Sequence, residues 1–104
     1  MNDAVVVLCT CANQDQALRI ANTLVDERLV ACVNVLPPLE SVYRWHGKVE
    51  TAQEILMLIK TTRQRFPALR DRLAELHTYD TPEIIALPIF DGSEKYLAWL
   101  REQV

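Results

Sequence analysis

Glycine is nearly absent from this chain: Gly47 and Gly92 are the only two in 104 residues. A loop that cradles phosphates needs several closely spaced glycines, so that backbone N–H groups can approach the ligand. The usual nucleotide fingerprints are therefore excluded. Cysteine is also scarce. Cys9, Cys11 and Cys32 are odd in number and lack a C-x-x-C spacing, which points to free thiols in a reducing cytoplasm rather than a disulfide framework. No basic excess exists either: 11 Lys and Arg against 14 Asp and Glu give a net charge of −3. That balance argues against a nucleic-acid or acidic-membrane partner. One local cluster, Arg63, Arg65, Arg70 and Arg72, is interrupted by Asp71 and Glu75 and fits a solvated helix face. No apolar run approaches the roughly 20 residues of a membrane span, and the acidic start Met1-Asn2-Asp3 is unlike a signal peptide. No Ser-His-Asp set, paired carboxylates or zinc-ligand spacing stands out, so no enzymatic activity is expected.

Half of the residues are hydrophobic, and the length suits a single domain over residues 1–104. The most unusual stretch is a pair of strand-like runs, Ala31–Trp45 and Lys48–Thr61, joined at His46-Gly47. Glycine between β-rich runs signals a hairpin. Fifteen residues at about 3.3 Å each reach roughly 50 Å, further than a domain of this size can cover. Pro37-Pro38 supplies a break, because proline cannot donate to a ladder. The outer part, with Val42, Tyr43 and Trp45, is expected to leave its own domain and dock on another copy.

Around this hairpin, Ala4–Cys11 is a continuous apolar run that fits a central strand buried on both faces. Asn13 and Gln16 resemble a capping box, opening a helix over Gln14–Leu29 with apolar residues at three- and four-residue spacing. Phe66, Leu69, Leu73 and Leu76 make a second amphipathic stripe, with Pro67 tolerated in its first turn. Pro82–Phe90 suits an edge strand because of Pro82 and Pro88, and Ser93–Gln103 closes the chain as a helix. The order β-α-β-β-α-β is the α+β, ferredoxin-like split βαβ arrangement. Right-handed crossovers then give an antiparallel sheet of order 4-1-3-2 with both major helices on one face.

That topology gathers residues distant in sequence. The end of the first strand (Cys9, Cys11), the end of the second helix (His77) and the start of the fourth strand (Tyr79, Pro82, Glu83) share one rim, while Lys60 falls toward the opposite rim. A thiol and an imidazole, Cys9 and His77, suit Cu(I), Cu(II) or Zn(II) by softness. Against this stand two plainer roles: buried cysteine packs as a small hydrophobe, and histidine at a helix C-terminus can cap carbonyls. Cys11 and Cys32 are expected to be buried packing residues, and His46 solvated in its turn. Tyr43 and Trp45 suit an interface, and Lys60, among apolar neighbours, needs a partner for its charge.

Several segments together resemble the CutA family of divalent-cation-tolerance proteins: Ala31-Cys32-Val33-Asn34, Tyr43-Arg44-Trp45-His46-Gly47-Lys48, Lys60-Thr61, His77-x-Tyr79-x-x-Pro82-Glu83 and Tyr96-Leu97-x-Trp99. They span nearly the whole chain in order and spacing. The resemblance implies a cytoplasmic homotrimer with sheets extended between subunits and a role in tolerance of copper and other divalent metals, zinc included. It places copper ligands at Cys9 and His77, and residues of a cleft between subunits at Trp45, Lys60, Tyr79 and Glu83. A second histidine that some members carry just before the ligand is Leu76 here. A different class of function, a signalling trimer akin to PII proteins that binds a small effector between subunits, shares the same fold.

Overall fold

A computed structural model describes residues 2–104. The elements in order are β1 (Ala4–Cys11), α1 (Gln14–Asp26), β2 (Cys32–Val35), β3 (Leu39–Trp45), β4 (Lys48–Thr62), α2 (Phe66–Leu76), β5 (Ile85–Pro88) and α3 (Glu94–Gln103). Adjacent strands are antiparallel, in the order β2-β4-β1-β5, with β3 pairing further along β4. The α+β class is as expected.

The sheet departs from the expected four strands at one place. The single second strand foreseen over Ala31–Trp45 is two strands, because Leu36-Pro37-Pro38 interrupts the ladder. Register shows what the interruption does. Val35 faces Met57, whereas Leu39 faces Glu54, so four steps on one side oppose three on the other. One extra residue of this kind is a β-bulge, which bends the strand and re-aims the residues beyond it. With β2 and β3 taken together as one broken strand, the order corresponds to 4-1-3-2. Two boundaries also shorten: α1 ends at Asp26 rather than Leu29, and the last strand covers Ile85–Pro88 rather than Pro82–Phe90. Beside β5, β1 is the partner on one side only, as an edge strand containing proline requires.

The core follows the two-residue period of the strands. Val5, Val7, Cys9 and Cys11 of β1 and Ile55, Met57 and Ile59 of β4 pack against Ala17, Ile20 and Leu24 of α1 and Leu69 and Leu73 of α2. On the other face, α3 brings Leu97 and Leu100 onto Ala4 and Ala31. Beyond α3 that face is open, and Ile85 and Leu87 remain about half exposed, at 49% and 48%. β1 is therefore buried on one face and only partly covered at Val6, Leu8 and Thr10 on the other, where burial on both faces was expected.

The hairpin turn places two consecutive residues at positive φ, His46 at 49° and Gly47 at 76°. This is the backbone that a tight two-residue hairpin requires, and glycine adopts it without strain. His46 is exposed. The arm does leave the body of the domain: Val42 and Val49 are 69% and 66% exposed, and the molecule is 44 Å long but only 26 × 24 Å across.

Candidate functional site

The site forms where the ends of β1 and α2 meet the start of α1. β1 finishes with Cys9 and Cys11 on its core face. α2 finishes at Leu76, and His77 caps it, its backbone N–H donating to the Leu73 carbonyl at 2.9 Å. Extended backbone at His77 (φ −80°, ψ 145°) turns the chain back over the end of β1. The imidazole thus caps no carbonyl of its own helix: its Nε2 lies 2.7 Å from the Thr10 carbonyl oxygen of β1. Its Nδ1 accepts the Tyr79 backbone N–H at 3.0 Å. An amide can only donate, so Nδ1 is the unprotonated nitrogen and Nε2–H donates to Thr10.

A second set of bonds fastens the same corner. Asn13 Oδ1 accepts the Gln16 N–H at 2.9 Å, the N-cap foreseen from sequence. Buried Gln16 accepts from the Ala12 N–H at 3.0 Å and donates through Nε2 to Thr78 Oγ1 at 2.7 Å. The end of β1, the start of α1 and the turn after α2 are so held together.

As a result the two sulfurs of Cys9 and Cys11 and a ring nitrogen of His77 all lie within 4.8 Å of one another, and all three residues are buried. Among the described residues this is the one group of three or more potential ligands close enough to hold a metal ion. Its chemistry is soft: two thiols and an imidazole suit Cu(I) or Zn(II) over oxygen-seeking cations such as Mg(II) or Ca(II). The thiols differ. Cys9 is pushed well above the usual thiol range, first by hydrogen bonding with Cys11, then by burial and by negative charge at Cys11, Glu83 and Glu54. Cys11 is lowered, because that same hydrogen bond from Cys9 favours its thiolate and outweighs burial and Glu54. The donor set fits a soft cation whose binding to the sulfurs as thiolates displaces protons from this pair.

Beside this cluster lies a groove of about 690 Å³ between the arm and the turn after α2, lined by Trp45, Tyr43, Glu54, Tyr79 and Glu83 among others, with Thr10 at its edge. Trp45, Tyr79 and Glu83 thus line one groove within a single chain, whereas the resemblance places them in a cleft between subunits. Tyr79 donates its hydroxyl to Glu54 Oε2 at 2.8 Å, and burial, then this bond and the charge of Glu54, raise the phenol above its ordinary range. Lys60 is elsewhere. It sits opposite Val6 and Cys32 at the other end of the sheet, and its ammonium donates to the Asn34 side-chain oxygen, a neutral partner rather than a carboxylate. Cys32 is half-buried rather than buried, with its sulfur 3.5 Å from the Tyr96 hydroxyl. Two members of the site are not foreseen as such. Cys11 carries a signal in its two-residue spacing from Cys9, which puts both on one side of a strand. Glu54 is one of several charges on the arm, and nothing in the sequence pairs it with Tyr79, 25 residues away.

Comparison with known proteins gives this geometry a family. Residues 5–103 match the CutA1 divalent ion tolerance protein family. The divalent-cation tolerance protein CutA of Thermus thermophilus is 54% identical over 97 residues, covering 93% of this chain and 94% of its own. A chloroplastic CutA of Arabidopsis thaliana is 46% identical over 98 residues, 94% of this chain; the chain spans 54% of that relative's length. The solved structure of the divalent cation tolerance protein from Thermus thermophilus superposes with a TM-score of 0.94 at 52% identity, covering 96% of this chain and 97% of its own. The chain belongs to the CutA1 divalent ion tolerance protein family.

Proposed function

We propose that this protein is a non-enzymatic, cytoplasmic homotrimer that takes up copper, as Cu(I), through Cys9, Cys11 and His77, and by holding it contributes to metal-ion homeostasis. The observation that carries this reading is the convergence of two buried sulfurs and an imidazole within 4.8 Å. Soft donors select Cu(I) first and zinc second. With Leu76 in place of a second histidine, Cys11 supplies the third donor. Three cysteines without a disulfide favour a reducing compartment. The trimer is favoured by what one chain leaves uncovered: Ile85 and Leu87 on the open sheet face, and Val42, Val49 and Trp45 on the arm.

A second reading rests on the groove. An opening of about 690 Å³ lined by aromatic and carboxylate side chains has the size of a small-molecule site, which suits a PII-like trimer that binds an effector in clefts between subunits. Lys60 lies outside this chain's groove, so in that reading it enters from a neighbouring copy.

The test is a Cu(I) titration of reduced protein against a competing chelator, with light scattering on the same samples. Wild type competes, and Cys9→Ser and His77→Ala each lose at least about tenfold in affinity while the assembly stays intact. Binding indifferent to both substitutions contradicts the metal reading. A metabolite that raises Tm by mass action, with the shift lost in Lys60→Ala, would instead support the effector reading.

A further inference from the structure

His77 is fully engaged as it stands. Nδ1 holds the Tyr79 amide hydrogen at 3.0 Å and Nε2–H holds the Thr10 carbonyl at 2.7 Å. A neutral imidazole binds a metal through its unprotonated nitrogen, here Nδ1, and that lone pair is already occupied by the backbone N–H of Tyr79. The alternative, binding through Nε2, requires that nitrogen's proton to leave or move to Nδ1, where it would face another donor, and it strips Thr10 of its hydrogen bond. Binding through Nδ1, or through Nε2 with its proton moved to Nδ1, therefore requires release of the Tyr79 amide.

What resists that release is on the other end of the same residue. The Tyr79 hydroxyl is tied to Glu54 Oε2 at 2.8 Å, and its ring packs on the His77 ring with centroids 4.7 Å apart. Glu54 belongs to β4, a different element, in the sheet ladder opposite Leu39 of β3. Besides the His77 bond to Thr10, the turn after α2 is pinned to the sheet through this Tyr79–Glu54 bond, and both of its residues line the groove.

We infer that Glu54 and Tyr79 are positioning residues for His77, forming a latch that holds Nδ1 closed, so that a soft cation is captured only as the latch lets the Tyr79 amide go. This deepens the metal reading of Cys9, Cys11 and His77 and rests on it. The latch lowers affinity and faces the groove, so anything that draws the Tyr79 hydroxyl away from Glu54 opens the metal site. Its sign separates it from a merely structural role: loosening a scaffold weakens a site, whereas removing a latch tightens it.

The experiment compares wild type, Tyr79→Phe and Glu54→Gln by two readouts: Cu(I) competition, and amide hydrogen exchange at Tyr79 in the metal-free protein. Tyr79→Phe keeps the charge of the site and removes only the bond, so it is the decisive arm. A hydrogen bond to a carboxylate converts to roughly threefold to tenfold in affinity after allowance for partial exposure. The expected result is Cu(I) binding tighter by that factor in Tyr79→Phe, tightening in the same direction in Glu54→Gln, and faster exchange at residue 79 in both. Equal or weaker Cu(I) binding in Tyr79→Phe, with wild type binding normally, overturns the latch and leaves the metal reading standing. Absence of Cu(I) binding in wild type overturns both.

Discussion

Cys9 and Cys11 present their sulfurs to the same buried side of β1, opposite Met57 and Ile55 of β4. Two residues of separation on a strand do this automatically, and the turn of His77 over the strand end makes the pair a cluster of three. Cys11 therefore has the same standing as Cys9 toward a cation. Cys11→Ala is expected to lower Cu(I) affinity by at least about tenfold, the usual scale for loss of a group supporting a metal site. The chelator competition that measures Cys9→Ser checks it, and wild-type affinity in Cys11→Ala would leave Cys9 and His77 as the only ligands.

Cation uptake should tighten with rising pH. Hydrogen bonding with Cys11, burial and nearby carboxylates hold the Cys9 thiol protonated far above neutrality, so binding as thiolate must expel that proton. Each proton released makes the affinity rise about tenfold per pH unit. Competition titrations at several pH values around neutrality read the slope directly, and a flat profile would mean that Cys9 does not bind as thiolate.

If the proposed trimer forms, the open face and the arm are the surfaces it would cover. Trp45 is 48% exposed at the arm tip, and Leu87 is as exposed on the sheet. A buried aromatic anchor commonly costs more than about 2 kcal/mol on truncation, so Trp45→Ala should shift dissociation to markedly higher protein concentration in sedimentation or light scattering. Leu87→Asp, placing a charge on the open face that the proposed trimer would cover, should do the same. Assemblies unaffected by either substitution would exclude these surfaces from the contact.

Leu73 links fold to site. Fully buried in α2, its backbone carbonyl receives the His77 N–H that ends the helix. Leu73→Ala should cost about 2–5 kcal/mol by lost burial and the cavity left behind, measured as a shift in the denaturant midpoint. Asn13→Ala, which removes the α1 cap, should cost only about 1 kcal/mol.

Most of this architecture was legible from residue patterns. The apolar run of β1, the strand-like run of β4, the three- and four-residue spacing in α1, the Asn13 cap and the His46-Gly47 turn are local signals, and each element appears where local chemistry puts it. However, β1 is buried on one face where its unbroken apolar run suggested two. The gathering of Cys9, Cys11 and His77 at one rim followed from topology alone. The bulge after Val35 was visible only as a proline pair; its one-residue slip depends on how the chain resumes pairing with β4. Even less visible were the bonds of His77. A histidine at a helix end suggests a carbonyl cap, but the extended backbone at His77 carries the ring across to Thr10 and Tyr79. Lys60 shows the same limit, since its neighbour Asn34 is set by strand pairing 26 residues away.

X-ray absorption at the copper edge, on reduced protein loaded with one equivalent of Cu(I), decides whether Cys9, Cys11 and His77 hold the metal. The expected spectrum is that of a low-coordinate site with two sulfur donors and one imidazole nitrogen, losing a sulfur in Cys11→Ala and the nitrogen in His77→Ala. A first shell of oxygen donors, or one unchanged by either substitution, would place the metal elsewhere and contradict the assignment.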